Sequence, residues 1–440
     1  MIERGRPRYL WAFPWLLLIA GSAGYRMMAS PAAGGSWAPM LAGSLGLAIT
    51  LVPWYRNRGD YGQTVLGAFA VLTLAVLSVG VIVYASPPTG LIAALPMFAA
   101  FGAYRAGFEG TVRFGEGALK SAGHALTALI VANAIVAAGQ FAAQLGTPSL
   151  DVLLAWDIAE RSAAGFDPIT TRSMGLLLNP NSLGYLGAAC LLSVLMLNPP
   201  ARQWWLGVVA SLSCLILSGS RTAIIASVGG VLVAQVLAST LLPRDKSRNR
   251  LWSWLGAAGI AAGLMFTAGD RLIQTVDTRA FHGMDPNLAA RVEAWRGAWR
   301  VMGDRPFGLL RPPQAAISEL IDSEYVYLSL LGSVALTALF ILVLTGIAIT
   351  ALQGRTRMGV WVAGSSCTIA ITAFSQIVTP EMGTLVLLFM AGAARGLDRV
   401  RAAHSGVENQ MTGARPAERP SKVSRSSSET RFHDTGLFYG

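Results

Sequence analysis

The chain is poor in charge, and poorer still in the residues on which most active-site chemistry relies. Only 13% of its 440 residues are Asp, Glu, Lys or Arg, and it has three cysteines and four histidines. So little charge, beside 53% hydrophobic residues and a mean hydropathy of +0.51, is wrong for a soluble domain. Cys190, Cys214 and Cys367 all fall inside apolar stretches, with neither metal-site spacing nor a plausible disulfide partner. They read as small core residues. His124 and His282 stand without metal-ligand spacing, and His404 and His433 belong to a polar C-terminal stretch, so no metal is expected. There is no phosphate loop, dinucleotide fingerprint, nucleophile elbow or zinc motif, which argues against energy input from ATP and against any cofactor.

What the chain has instead is repeated runs of about 20 apolar residues, the length that crosses a bilayer as a helix. Twelve can be placed, giving an all-α polytopic membrane protein: residues 9–29, 36–54, 62–84, 88–104, 121–144, 180–197, 203–219, 222–242, 251–268, 323–349, 358–378 and 381–397. Arg4, Arg6 and Arg8 precede the first run as in a signal peptide, but no small-residue cleavage site follows, so an uncleaved helix is expected.

The formal net charge of +11 could suggest nucleic acid, but the cations sit in short connections and in the tail, where membrane topology accounts for them. Arg56/Arg58, Arg105/Arg113/Lys120, Arg202, Arg244/Lys246/Arg248/Arg250 and Arg355/Arg357 all fall on one side of the twelve-span arrangement, the side of both termini. That side is cytoplasmic by the positive-inside rule. Two long connections, about 145–179 and 269–322, lie on the other side, and the second carries seven Arg and seven acidic residues. From residue 399 onward Arg, Ser, Pro and Glu dominate, as expected of a disordered cytoplasmic tail over 399–440, with the membrane domain occupying 1–398.

Several polar residues stand at the edges of these spans. Asn179-Pro180-Asn181 combines a good helix cap with proline at the first helical position, so the sixth span begins here on the outer side with its positive dipole end and free N–H groups available to an anion. Taken alone it is a good cap. Ser218-Gly-Ser220-Arg221 opens the eighth span on the same side, with an arginine that opposes the helix dipole and costs insertion energy, which favours a functional role. Arg172 lies a few residues before the sixth span; as a lone residue it is an ordinary loop arginine.

The long outer connection contains a helix with Asp285 as cap, Pro286 at its first position and a stop at Gly303 and Pro306. Leu288, Val292, Trp295, Trp299 and Met302 form a stripe expected to pack on the membrane domain; a sugar platform is the less economical reading. Arg296 and Arg300 suit solvated pairing with Glu293, whereas Arg291 flanks the stripe and could grip a phosphate bidentately. Asp322-Ser-Glu324-Tyr325-Val-Tyr327 then enters the tenth span. Capping and dipole stabilisation explain one of these acids; a second, with two tyrosines at the face that carries the arginines, suggests a base for a sugar hydroxyl. The residues leave open whether Glu324 or Asp322 serves.

In order and spacing, Arg172-x-x-Gly175-Leu176-x-x-Asn179-Pro180-Asn181-x-x-Gly184, Ser218-x-Ser220-Arg221, Arg291-x-x-x-Trp295, Pro306-x-Gly308 and Glu324-Tyr325-x-Tyr327-Leu328 with Gly332 resemble the signature series of the O-antigen ligase and O-antigen polymerase family, over about residues 165–345. The resemblance implies a membrane glycosyltransferase of the bacterial inner membrane that uses undecaprenyl-diphosphate-linked oligosaccharide at the periplasmic face. It implies a diphosphate held by Arg221 and Arg291, with Arg172, Asn179, Asn181 and Tyr325 supporting the substrate and Glu324 or Asp322 as base. Ligases of the family usually carry a His-Asn pair where this chain has Asp322-Ser323-Glu324, so the resemblance favours the Wzy-type polysaccharide polymerase branch. A ligase, or a flippase that binds the same headgroup, is the alternative. The partners implied are the lipid-linked oligosaccharide, membrane lipids, and chain-length regulator and export proteins, with no nucleic acid.

Overall fold

The computed structural model describes residues 60–84, 94–147, 172–177, 180–242, 286–310, 323–376, 378 and 381–411. Among these residues there are ten helices and no strand. They are α1 Tyr61–Tyr84, α2 Leu95–Phe114, α3 Glu116–Gln144, α4 Pro180–Leu197, α5 Ala201–Ser218, α6 Arg221–Leu241, α7 Pro286–Asp304, α8 Glu324–Gln353, α9 Arg357–Thr372 and α10 Met382–Met411. Six of them, α1, α3, α4, α5, α6 and α8, are long and apolar enough to cross a membrane. The protein is therefore an all-helical polytopic membrane protein. The spans expected at 9–29, 36–54 and 251–268, the charged loop at 244–250 and both termini lie outside the described residues, and with them the count of twelve.

Two expectations are corrected. The fourth span was placed at 88–104, with Arg105, Arg113 and Lys120 in a loop, but α2 runs from Leu95 to Phe114 and α3 resumes after the single residue Gly115, whose φ of 58° breaks the helix. All three cations are helical: Arg105 is buried within the bundle, Arg113 lies 3.8 Å from Glu109 one turn back, and Lys120 is exposed. The polar tail was expected from 399, yet α10 continues to Met411. Arg399 stacks over Phe108 at 5.9 Å and Arg401 reaches Glu116 at 3.9 Å, so the cations past Leu397 find partners on α2 and α3.

The centre of the bundle is α4. Nearly every residue from Ser182 to Met196 is buried, because α3, α5, α6, α9 and α10 all pack on it. A helix apolar all round belongs in such a place, and Gly184, Gly187, Ala188 and Ala189 let neighbours approach closely.

The same device joins α2 to α10, the most extensive helix pair. Gly392 and Gly396 form a Gly-x-x-x-Gly step, and a Cβ at Gly392 would overlap the Tyr104 carbonyl while one at Gly107 would overlap that of Phe389. Near that interface Asp60 is buried and accepts the Tyr104 hydroxyl at 2.9 Å, with Arg395 3.5 Å away and donating to the Thr350 carbonyl at 3.1 Å. One ionic cluster thus ties α1, α2, α8 and α10 together at the end opposite the starts of α4, α6, α8 and α10.

Helix α8 is not one straight rod. Gly332 and Ser333 leave helical geometry, with Ser333 at φ 70°, and the break deprives carbonyls before it of their usual N–H partners. The stretch after α7 replaces them: Leu309 N–H donates to Leu330 O at 2.6 Å and Leu310 N–H to Leu331 O at 3.0 Å. Gly308, at φ 80°, lies so close that a Cβ would stand 2.7 Å from Leu330 O. Irregular backbone survives at membrane depth only when protein satisfies it, and here the two irregular stretches satisfy each other.

The α2–α10 contact supplies a direct check. Gly392→Leu should lower thermal stability of the detergent-purified protein by about 1–3 kcal/mol, the usual cost of overpacking, whereas Gly117→Leu, at an open position, should leave the melting temperature unchanged.

Candidate functional site

The segment 172–177 is not a surface loop. Ser173 and Met174 are fully buried, and this non-helical backbone is held by two amide side chains of α3, each itself fully enclosed. Gln140 accepts the N–H groups of Met174 at 3.0 Å and Gly175 at 2.9 Å, and donates to the Gly175 carbonyl at 3.1 Å. Asn133 accepts the Leu176 N–H at 3.1 Å. Gly175, at φ 61°, fits closely against Leu183 and Asn133, and Ser173 N–H donates to Leu217 O at 3.0 Å. Neither Gln140 nor Asn133 emerged as a candidate from the sequence, although an amide inside an apolar span is itself a signal.

This fixed strap delivers Arg172. Its Nε donates to the Ser218 carbonyl at 2.8 Å and an Nη to Asn181 Oδ1 at 2.6 Å. The first contact places a cation at the carbonyl end of α5, where the helix dipole favours it. The second joins it to the first turn of α4. Ser218 and Ser220 shape the turn between α5 and α6: Ser218 Oγ accepts the Ser220 N–H at 3.2 Å, and Ser220 caps α6 by accepting the Ala223 N–H at 3.4 Å. Arg221 is the first residue of α6 and half-buried. Gly184 lets α4 touch this turn, since a Cβ there would lie 2.6 Å from Ser218 Oγ and 2.8 Å from Ser220 Cβ. Arg172 and Asn181 are thus joined to each other and to the turn that precedes Arg221; Asn179 lies outside the described residues.

A carboxylate that the sequence reading passed over completes this end. Glu381 immediately precedes α10 and accepts the Ser182 hydroxyl at 2.8 Å, so consecutive residues of α4, Asn181 and Ser182, hold an arginine and an acid. Tyr185, one turn deeper, is fully buried, pairs with Thr384 Oγ1 at 2.8 Å and lies within electrostatic reach of both Glu381 and Glu324. In sequence, Thr379-Pro380-Glu381 combines proline and an acid at a helix start, as Asp285-Pro286 does.

The expected base, Glu324, is fully enclosed. Its N–H donates to the carbonyls of Ala373 at 2.9 Å and Gln376 at 3.3 Å, which locks the start of α8 onto the turn after α9. Tyr325 points the other way: its hydroxyl donates to Ala370 O at 2.8 Å and its ring meets Phe340 and Phe374 edge-on. Asp322 lies outside the described residues.

On α7, the docked face is rotated from the expected stripe. Ala298 is fully buried and Trp295, Val301 and Met302 pack against the core, while Trp299 is 58% exposed. A small residue at 298 lets that face approach closely, which the larger Trp299 could not. Arg296 and Arg300 lie on the exposed side, 3.5 and 4.0 Å from Glu293, as expected. Arg291 is half-buried one turn before Trp295. Because α7 packs on α8, and Trp295 lines a cavity with Ser323 and Tyr325, Arg291 belongs to the α8 side of the site rather than to the Arg172 cluster.

Residues 206–321 match the family model described as O-antigen ligase. This interval of the chain is similar to O-antigen ligases. The matched interval holds most of α5, the Ser218–Arg221 turn, α6, and α7 with Arg291 and Trp295. Arg172, Asn181 and the start of α8, with the acids flanking Ser323, lie outside it, but the contacts above join Arg172 and Asn181 directly to its Ser218 carbonyl. No curated protein matches the chain. The O-antigen ligase model supports the ligase and polymerase family as a whole and does not separate its branches.

The strap offers the sharpest test of how this site is built. Gln140→Leu leaves two N–H groups and a carbonyl orphaned, and at about 1–3 kcal/mol per unmet buried group it should cost on the order of 3 kcal/mol or more in unfolding stability. Gln140→Glu, which keeps the acceptor for both N–H groups, should recover much of that loss in the same detergent melt.

Proposed function

We propose that this protein is a glycosyltransferase of the bacterial inner membrane that polymerises undecaprenyl-diphosphate-linked oligosaccharide repeats at the periplasmic face, in exopolysaccharide, capsule or O-antigen synthesis. It would move the growing glycan from its lipid diphosphate onto the non-reducing end of another lipid-linked repeat. The observation that carries this reading is Arg172, which bridges the first turn of α4 and the carbonyl end of α5 at the end of the bundle where α4, α6, α8 and α10 start. Helix starts and arginines favour a polyanion, and the interval that matches O-antigen ligase supplies the Ser218 carbonyl and the start of α6.

The chemistry follows from what such a donor requires. Breaking the bond between the sugar and its diphosphate develops charge on the leaving phosphate, which Arg221, Arg291 and the N–H groups at helix starts would stabilise. Arg172, Asn181, Asn179 and Tyr325 would shape the binding site around it. The acceptor hydroxyl must lose a proton as it attacks, and we assign that proton to the Asp322/Glu324 pair. The high-energy donor makes a nucleotide unnecessary. Residues 1–398 would form the transferase domain, residues 269–322 its outer wall, and a chain-length regulator and export proteins its partners. Asp322-Ser323-Glu324 in place of a His-Asn pair favours polymerase over ligase.

The test uses purified protein in nanodiscs with lipid-linked repeat units. A polymerase yields a ladder of longer lipid-linked glycans; product on a different acceptor identifies a ligase; unchanged substrate, or substrate merely moved across the bilayer, refutes both. Arg221→Ala and Arg291→Ala should each cut elongation by roughly 10²-fold or more. Of Asp322→Asn and Glu324→Gln, the base should cost about 10²–10⁴-fold, and wild-type rates in both variants would remove the base from this pair.

A further inference from the structure

The cavity beneath α7 is almost wholly apolar. It has a volume of about 600 Å³ and runs between α8 and α9 from Ser323 and Tyr325, past Ile341 and Cys367, to Ala348 and Ala363. Because α8 breaks at Gly332 and Ser333, so that Thr337 Oγ1 donates to the Tyr325 carbonyl at 3.0 Å, the trench follows α8 only from Thr337 to Ala348, roughly 16 Å at about 1.5 Å per residue and about half the thickness of a bilayer's hydrocarbon core. Its flank is open to the apolar surface, where Ile341 is 47% and Phe374 61% exposed. So apolar a lining, open on its flank, suits a hydrocarbon chain rather than a sugar, whose hydroxyls would find few partners there.

The upper end differs from the rest. Trp295 and Trp299 of α7 roof it, and the indole N–H of Trp295 is buried with no acceptor among the described residues. A buried donor without a partner costs about 1–3 kcal/mol, so its ligand should bring an acceptor to that point. Arg291 lies one turn back on the same helix, and Ser323 at the mouth adjoins Glu324. An occupant must therefore join an apolar chain to an anionic head rich in acceptors.

We infer that this trench between α8 and α9 seats the isoprenoid chain nearest the phosphate of a lipid-linked substrate, with the Trp295 N–H donating to a phosphate oxygen at its mouth. The inference rests on the proposed function for the identity of the lipid, and it makes Trp295 a binding residue and the trench a determinant of chain type. It also gives the tryptophan face of α7 a role other than a sugar platform: the face closes a lipid site from above.

Cys367 reports on occupancy, because it lines the trench and is partly accessible whereas Cys190 and Cys214 are buried. Purified wild-type protein would be labelled with a small maleimide in the presence of a long polyprenyl phosphate, geranyl phosphate, the matching prenyl alcohol, an unbranched alkyl phosphate, or inorganic phosphate. The long polyprenyl phosphate should slow labelling of Cys367 about tenfold, as burial of several methylenes predicts, and inorganic phosphate should not. Ala348→Trp, which fills the lower end, should weaken protection by the long chain and spare that by geranyl phosphate. Trp295→Phe should weaken protection by the phosphate and not by the alcohol.

Labelling indifferent to every prenyl compound, or equal protection by the unbranched alkyl phosphate, overturns the assignment. Protection without glycan elongation would uphold the trench and remove the polymerase reading. Elongation by a wild-type protein whose Cys367 is never protected would do the reverse.

Discussion

Two buried amides set the terms for the end of the bundle at which α4, α6, α8 and α10 start. Backbone that leaves the helix inside a membrane protein must find partners for its N–H and C=O groups, and water is not at hand to supply them. Gln140 and Asn133 meet that demand for residues 174–176. Without them the strap would have to retreat to the surface, and Arg172 would become the loop arginine it resembles in sequence. With them, a guanidinium is held against the carbonyl end of α5 and the first turn of α4, joining two elements that carry little meaning apart.

The electrostatics of that end are arranged in opposition. Helix starts at Pro180, Arg221, Glu324 and Met382 present positive dipole ends in one region, and arginines add to them. Part of this excess is met locally: Arg172 donates to a helix C-terminal carbonyl, and Glu381 stands against the first turn of α4 through Ser182. Arg221 stands in the first turn of its own helix, where a cation opposes the dipole rather than complementing it.

Much of this was legible in the chain. Asn-Pro-Asn and Ser-Gly-Ser-Arg announced the starts of α4 and α6 through local capping chemistry, and the structure begins α4 at Pro180 and α6 at Arg221. Local signals survive because cap and capped groups lie within a few residues. What escaped notice depends on distance along the chain. Gln140 and Asn133 read as tolerated polar residues until their partners, 34 to 43 residues away, are known. Glu381 finds Ser182 across 199 residues. The rotation of α7 escaped for another reason: hydrophobic periodicity favours the large Trp299, whereas close docking selects the small Ala298.

The kink in α8 shows how separated motifs can be a single part. Gly332 alone is a weak signal, and so is Pro306-x-Gly308, but the carbonyls freed by the break are those that accept Leu309 and Leu310 N–H. Neither irregular stretch is tenable in an apolar setting without the other, and their union pins the end of α7 to the middle of α8. Because Arg291 and Trp295 ride on α7 while Ser323 and Tyr325 ride on α8, that joint sets the spacing between Arg291 and Glu324. A residue with no chemistry of its own, Gly308, thereby governs the geometry of those that have it: only without a Cβ can its backbone come close enough to Leu330 for the joint to close.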